Sequence, residues 1–227
     1  MYINSLGVTV KEFFDVLFLP GIRDFIKSGK IPGLRKVEMN YIYHYVLRLA
    51  PVYINRDRKN LGYPPNNFFF GETPYNVAEM ICNILEVDKK DVVYDLGCGR
   101  GKFLFFVNLY CQARCIGVDL IRTYIDVANK IIQKLRLKDI YFFQEDILSV
   151  NLSTASVILI HGSTFSEDTH QALIKKIKNL KAGTRLVVYS VEYEQERLRK
   201  IRSERVMLSW GYTDLHFYEI VDGGGEI

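Results

Sequence analysis

Tyr94-Asp95-Leu96-Gly97-Cys98-Gly99-Arg100-Gly101-Lys102 closes a short apolar run, Val92–Leu96, and leads into an apolar helical pattern that reaches Leu109. A strand that ends on an acid and then passes three alternating glycines predicts a strand–turn–helix unit whose backbone comes close to a ligand. Gly97 and Gly99 permit that approach, and Gly101 lets the start of the helix pack tightly. The spacing G-x-G-x-G also occurs in plain connectors. What lies around it therefore decides its meaning.

Downstream the pattern repeats. Arg114–Val118 reads as a second strand and Ile121–Leu135 as a helix. Ile140–Phe143 and Ser156–Ile160 follow as strands, then a helix over His170–Leu180 and a fifth strand, Arg185–Ser190. Strands that are almost wholly apolar, separated by helices, predict a parallel sheet covered on both faces. Val206–Trp210 and Leu215–Val221, joined by Gly211-Tyr212-Thr213, predict a closing antiparallel pair. The fold expected is α/β: a seven-stranded Rossmann-like sheet with helices on both faces and a helical N-terminal region. The charged run from Glu192 to Arg205 reads as a solvated helix with i, i+4 pairs, and Gly223-Gly224-Gly225 as a frayed tail.

Upstream, Val10–Leu19 is an apolar segment that Pro20-Gly21 is expected to stop. Arg35–Leu49 predicts a helix with Val37, Tyr41, Tyr45 and Leu49 on one stripe. Pro51 to Asn67, rich in Asn, Arg and Pro, reads as a loop. Thr73 as N-cap and Pro74 as first helical residue open a helix to about Leu85. The division expected is residues 1–70 as a helical cap or substrate region and 71–227 as the ligand-binding domain.

Composition narrows the function. The 227 residues are 48% apolar and 25% charged, which excludes a disordered chain or a disulfide-rich miniprotein. Thirty Lys and Arg against 26 Asp and Glu leave a formal charge of +4, too little for the basic stripe of a nucleic-acid binder. The excess is local: residues 1–70 carry 10 basic and 5 acidic side chains, and residues 71–227 carry 20 and 21. Cys82, Cys98, Cys111 and Cys115 form no C-x-x-C pair and have no histidines at zinc spacing, so no metal is expected. Lys11, Glu12 and Asp15 interrupt any leader-like apolar run, and no stretch is long enough to span a bilayer. A reducing, cytoplasmic setting is the expectation.

Two further acids give the glycine turn its company. Asp119 ends the second strand, 18 residues beyond Gly101, where a carboxylate accepts from two ribose hydroxyls. Asp146 lies in Gln144-Glu145-Asp146-Ile147, placed for the exocyclic amine of an adenine that Leu120 and Ile147 would sandwich. Asp95, directly before the glycines, would repel a pyrophosphate but suits a cationic ligand. S-adenosylmethionine meets that description: adenine, ribose, sulfonium and ammonium, without phosphate.

On these residues the sequence resembles the class I S-adenosylmethionine-dependent methyltransferases over roughly residues 72–221. Asp95 to Gly101 is similar to their first motif, Asp119 to their second-strand acid and Asp146 to their adenine-side acid. Phe70-Gly71-Glu72-Thr73-Pro74, ahead of a helix and the first motif, resembles the Y-G-E-T element of the non-SET lysine methyltransferases. Those are the disruptor-of-telomeric-silencing histone enzymes and the ATP-synthase c-subunit lysine methyltransferases. The resemblance implies that Glu72 and Thr73 join the cofactor site. Lys102, which closes the glycine stretch, is a further cofactor-binding candidate.

The stretch Val157 to Phe165 matches in position their fourth-strand element beside the methyl group, with His161-Gly162 where the histone enzymes carry paired asparagines. His161 ends a strand at the ligand edge and stands as a candidate to orient an amine or take its proton, or as a polar strand end bonded to a backbone carbonyl. Phe68, Phe69 and Phe70 are candidates to wall a narrow channel, with Phe70 nearest the chemistry. His44, His170 and His216 read as structural. The function expected is methyl transfer to a protein lysine. Methylation of RNA or a small molecule, and a non-catalytic binding module, stand as alternatives. The N-terminal aromatics beside Lys and Arg also admit a peripheral membrane contact.

Overall fold

A computed structural model describes residues 19–47, 50–62, 72–208 and 211–222. In chain order come helices α1 (Leu19–Ser28) and α2 (Leu34–Tyr41), a π-helical turn at Ile42–Leu47, α3 (Ala50–Asn60) and α4 (Tyr75–Ile84). Strand β1 (Val92–Leu96) then leads to α5 (Lys102–Tyr110), β2 (Arg114–Asp119), α6 (Arg122–Leu135) and β3 (Ile140–Gln144). After β4 (Val157–Ile160) and a 3-10 turn at Gly162–Thr164 follow α7 (Glu167–Ile177), β5 (Arg185–Tyr189), β6 (Leu198–Leu208) and β7 (Gly211–Ile220).

The strands form one seven-stranded sheet in the order β3-β2-β1-β4-β5-β7-β6. The first five are parallel, and β7 runs antiparallel to both β5 and β6. This is the fold class expected from the apolar runs. Alternate residues of β4 enter opposite cores: Val157 and Leu159 pack with Phe105 and Phe106 of α5, whereas Ile158 and Ile160 pack with Leu173 and Ile177 of α7. Burial on both faces is why these strands read as unbroken apolar runs. The strand order reverses between β1 and β4, and that reversal opens a crevice at their carboxyl ends.

Several local expectations are corrected. The Glu192–Arg205 run is not a helix, since Leu198–Leu208 is β6. As the sheet's edge strand it is largely solvated, and Arg199–Glu219 pairs it across the hairpin. Charge on an edge guards it against pairing with another chain, and that use of charge mimics an exposed helix in sequence. Gly211, Tyr212 and Thr213 belong to β7 rather than a connection, opposite Leu208, Met207 and Val206. Pro51 sits in the first turn of α3, inside the stretch expected to be a loop. Pro20 sits in the first turn of α1, and the Val10–Phe18 segment it was expected to stop lies outside the described residues. What holds α3 is packing of Ile54 on Ile121 and Tyr124, a contact that composition does not reveal. The stripe Val37, Tyr41, Tyr45 spans α2 and the π-turn, not one regular helix, and α7 starts earlier than expected, capped by Ser166.

Thr73 is not the N-cap. Pro74 holds that position, and Asp24 Oδ1 accepts the Tyr75 N–H at 2.8 Å. Among the described residues no helix is long and apolar enough to cross a membrane, and no group of three or more His, Cys, Asp or Glu is placed to hold a metal. Phe68, Phe69, Phe70, Gly71, Leu49, Trp210, the run from Val10 to Phe18 and the glycine tail lie outside the described residues.

Candidate active site

The crevice at the β1/β4 reversal is a cleft of about 710 Å³ that draws together Glu72, Thr73, Asp95, Gly97, Gly99, Lys102, Asp119, Leu120, Asp146, Ile147 and His161. Thus the expected residues that are described converge, apart from Gly101 beneath the turn; Phe70 lies outside the described residues. A larger groove of about 1,100 Å³ between α3 and α6 touches the cleft at Leu120 but holds none of the glycine turn.

Each wall has a local cause. Gly97, Gly99 and Gly101 all take positive φ, at 85°, 53° and 76°. At Gly101 an added Cβ would stand 2.3 Å from the Phe142 ring, so the helix start and β3 meet through the missing side chain. The turn is tied to β2 by the Gly97 and Cys98 N–H groups, which donate to Val118 O at 2.9 and 3.0 Å. Asp119 fastens it from the other side. Its Oδ2 accepts the Gly99 N–H and its Oδ1 the Ile121 N–H, both at 2.8 Å. Burial pushes its carboxyl up, and these two amides partly offset that. Each oxygen keeps a second lone pair for a ligand hydroxyl. Asp146 stays exposed, its Oδ1 held by the Leu148 N–H at 2.9 Å, while Ile147 beside it is buried.

Asp95 is the outlier. It is 1% exposed, and neither carboxylate oxygen has a hydrogen-bond partner. The nearest cation candidate is His161, whose Nε2 lies 3.1 Å from Oδ1 without forming an aligned bond. A buried carboxylate left unpaired is costly, and such a cost marks a site completed by a cationic ligand. The His161 ring lies 4.2 Å from that of Tyr189, and the Tyr189 hydroxyl is 3.0 Å from Thr73 Oγ1.

The turn after His161 is fixed by His170. Its Nε2 lies 3.0 Å from Gly162 O and its Nδ1 2.8 Å from the Tyr193 hydroxyl. A carbonyl only accepts, so Nε2 carries the hydrogen and Tyr193 donates to Nδ1. Phe165, delivered by this turn, packs over Gly97, where an added Cβ would be 3.3 Å from its ring.

Phe165 ends the stretch expected beside the methyl group, whereas the sequence reading did not place Tyr189, Phe103 or Tyr124 at the site. Phe103, Tyr124 and Phe165 line the cleft, and Tyr189 supports His161. The available signal for Tyr189 was its position at the carboxyl end of β5, next to β4.

At the mouth, Glu72 pairs with Arg100 and lies 3.5 Å from the Lys102 ammonium. Burial raises its carboxyl, but Arg100 and Lys102 outweigh that and hold it below the ordinary 4.5. A carboxylate depressed in the folded state contributes stability above its unfolded pKa and loses it as the pH falls through the folded value. Glu72→Gln is therefore expected to cost about 3–5 kcal/mol at pH 7, as one partner of a buried pair is neutralised. That difference should shrink below pH 4.5, the unfolded value. Urea unfolding of both proteins across that range checks it, and a constant difference would refute the assignment.

The residues fit S-adenosylmethionine: a buried carboxylate without a hydrogen-bond partner for an ammonium, and a backbone-held acid for a ribose. Strand order, crevice and acids together define a class I methyltransferase. A family model described as a methyltransferase domain matches residues 87–224, more than half of the chain, and the chain belongs to that family as an S-adenosylmethionine-dependent methyltransferase.

Over 123 residues, 53% of this chain and 74% of the relative, it is 28% identical to a protein of Saccharolobus islandicus (strain REY15A) named protein-lysine N-methyltransferase. Among solved structures it is similar to an RNA methyltransferase from Salinibacter ruber in complex with S-adenosyl-L-homocysteine. That likeness has a TM-score of 0.56 and 23% identity, covering 69% of this chain and 97% of the other. It is also similar to a geranyl diphosphate C-methyltransferase from Streptomyces coelicolor A3(2), with a TM-score of 0.54 and 16% identity over 65% of this chain and 79% of that one. These structural likenesses carry the fold alone.

Proposed function

We propose that the acceptor is the side-chain amine of a protein lysine. The observation that carries this reading is the likeness, over 123 residues, to the Saccharolobus protein named protein-lysine N-methyltransferase. The Glu72-Thr73-Pro74 approach to α4 and the absence of an Asn-Pro-Pro-Tyr or Asp-Pro-Pro-Tyr sequence after β4 support it. In this reading residues 1–70 cap the site and 71–227 bind the cofactor.

When bound, S-adenosylmethionine supplies an electrophilic methyl group on a sulfonium sulfur. Asp95 holds the ammonium end, Asp119 the ribose and Asp146 the adenine, with Leu120 and Ile147 against its faces. Gly97, Gly99 and Gly101 shape the turn under it, while Glu72 and Thr73 close the methionine end. Displacement at an activated methyl group requires alignment more than a strong base. The lysine must arrive as a neutral amine, because an ammonium has no lone pair. Aromatic walls such as Phe165 disfavour the charged form by desolvation. His161 stands beside Asp95 to orient that amine, with Nε2 toward the carboxylate and Nδ1 left to accept a proton.

The test is to incubate bacterial lysate protein with the enzyme and heavy-methyl cofactor, then map the label by mass spectrometry. Heavy methyl groups on lysine ε-amines are expected. Label confined to other side chains would overturn the lysine reading.

A further inference from the structure

Lys102 opens α5 directly after the last glycine, yet its ammonium faces three carboxylates of the N-terminal half. Asp24 Oδ2 lies at 2.8 Å, Glu72 Oε2 at 3.5 Å and Glu38 Oε1 at 3.9 Å. Asp24 comes from α1, Glu38 from α2, and Glu72 from the approach to α4. The same groups bind one another. Asp24 Oδ1 accepts the Tyr75 N–H, the Tyr75 hydroxyl bonds Glu38, and the ammonium sits 4.8 Å from the Tyr75 ring centroid.

Arg100, on the other side of Gly101, repeats the arrangement. Its Nε donates to Glu72 Oε1 at 2.7 Å and its carbonyl accepts the Tyr41 hydroxyl at 2.9 Å. Its guanidinium lies 4.5 Å from the ring centroid of Tyr45 and 5.3 Å from that of Tyr41.

Every described N-terminal helical element except α3 thus grips residue 100 or 102. Those two residues flank Gly101, whose N–H donates to Cys98 O at 2.9 Å and so closes the turn that walls the cleft. The Lys102 side chain is only 10% exposed. With α1 and α2 withdrawn, it and Arg100 would keep Glu72 alone among these carboxylates. A buried charge that loses its partners forces its surroundings to rearrange, and here the surroundings are the glycine turn.

We propose that this cluster is a clasp through which α1 and α2 set the shape of the glycine turn, so that docking of these helices and cofactor binding are thermodynamically coupled. The proposal rests on the cleft being the cofactor site, and it makes Lys102 a positioning residue rather than a cofactor ligand. Coupling is reciprocal. Ligand must therefore stabilise α1, although no residue of α1 lines the cleft.

The experiment uses the full chain with S-adenosylhomocysteine as probe, reading affinity by calorimetry and backbone hydrogen exchange of residues 19–28 with and without ligand. In the wild type, saturating ligand should slow exchange in α1 by about tenfold, within the range of ordinary coupling. Lys102→Met should weaken binding at least about tenfold and abolish the ligand-dependent protection, with Lys102→Arg recovering part of both. Asp24→Asn, which keeps the Lys102–Glu72 contact, serves if Lys102→Met does not fold, and should weaken binding several-fold.

Wild-type affinity in a folded Lys102→Met or Asp24→Asn protein, even one of lower stability, would overturn the clasp. So would α1 exchange that ignores bound ligand, and in both cases the cofactor site stands. A wild-type chain that binds no S-adenosylhomocysteine would overturn the reading of the cleft and the clasp with it.

Discussion

Asp95→Asn is expected to weaken S-adenosylhomocysteine binding about 100-fold while raising the melting temperature of the ligand-free protein. The two effects have one cause. The carboxyl is 1% exposed, neither oxygen has a hydrogen-bond partner, and the one basic group beside it, His161 Nε2 at 3.1 Å, forms no aligned bond, so without ligand the group is buried and poorly satisfied. Neutralising it relieves part of a desolvation penalty of about 1–3 kcal/mol, and each kcal/mol recovered raises the melting temperature by about 2–4 °C in a chain of this size. The ligand, in contrast, loses a charge-assisted bond to its ammonium in a water-poor site, and losing one partner of such a pair costs about 2–5 kcal/mol. Calorimetry and thermal melts give the two numbers independently. Affinity and stability falling together would mean that Asp95 supports the fold and not the ligand.

Gly101→Ala is expected to destabilise the protein by about 3–5 kcal/mol, combining left-handed backbone strain with overpacking. The φ of 76° already disfavours any Cβ, and that Cβ would lie 2.3 Å from the Phe142 ring. Phe142 has no space to yield. It is 4% exposed, its ring centroid is 5.4 Å from that of Phe105, and Gly117 is itself without a Cβ because the same ring lies 2.5 Å from where one would be. Gly183→Ala is the control. Its φ is 84°, but nothing lies within 4 Å of the new atom, so strain alone applies and the cost is about 1–2 kcal/mol. Equal costs in urea unfolding would show that the Phe142 contact does not fix this turn.

The central sheet and most of the cleft were legible because their signals are local. Strands buried on both faces announce themselves as apolar runs, and the acids sit at strand ends that the runs define. Gly101 was legible for the same reason, as a residue that a tight helix start requires. The missed features depend on partners distant in sequence. Nothing near Lys102 says that its ammonium meets Asp24, 78 positions earlier. Nothing near Thr73 says that its hydroxyl meets Tyr189, leaving Asp24 to take the Tyr75 N–H. Helix α3 was hidden because one buried Ile54 and the Asp57 bonds to Thr123 hold it, against a polar composition that reads as loop. Of strand β6 only the end, from Val206, was legible; its charged beginning was hidden because an edge strand needs charge where a central strand needs apolar side chains.

Lysine methylation is tested most directly by transfer of radiolabelled methyl from S-adenosylmethionine into a fractionated cell lysate, with Asp95→Ala in parallel. The account predicts label in protein, released on acid hydrolysis as methyl-lysine and absent with the variant. Label found only in RNA or in small molecules would contradict it.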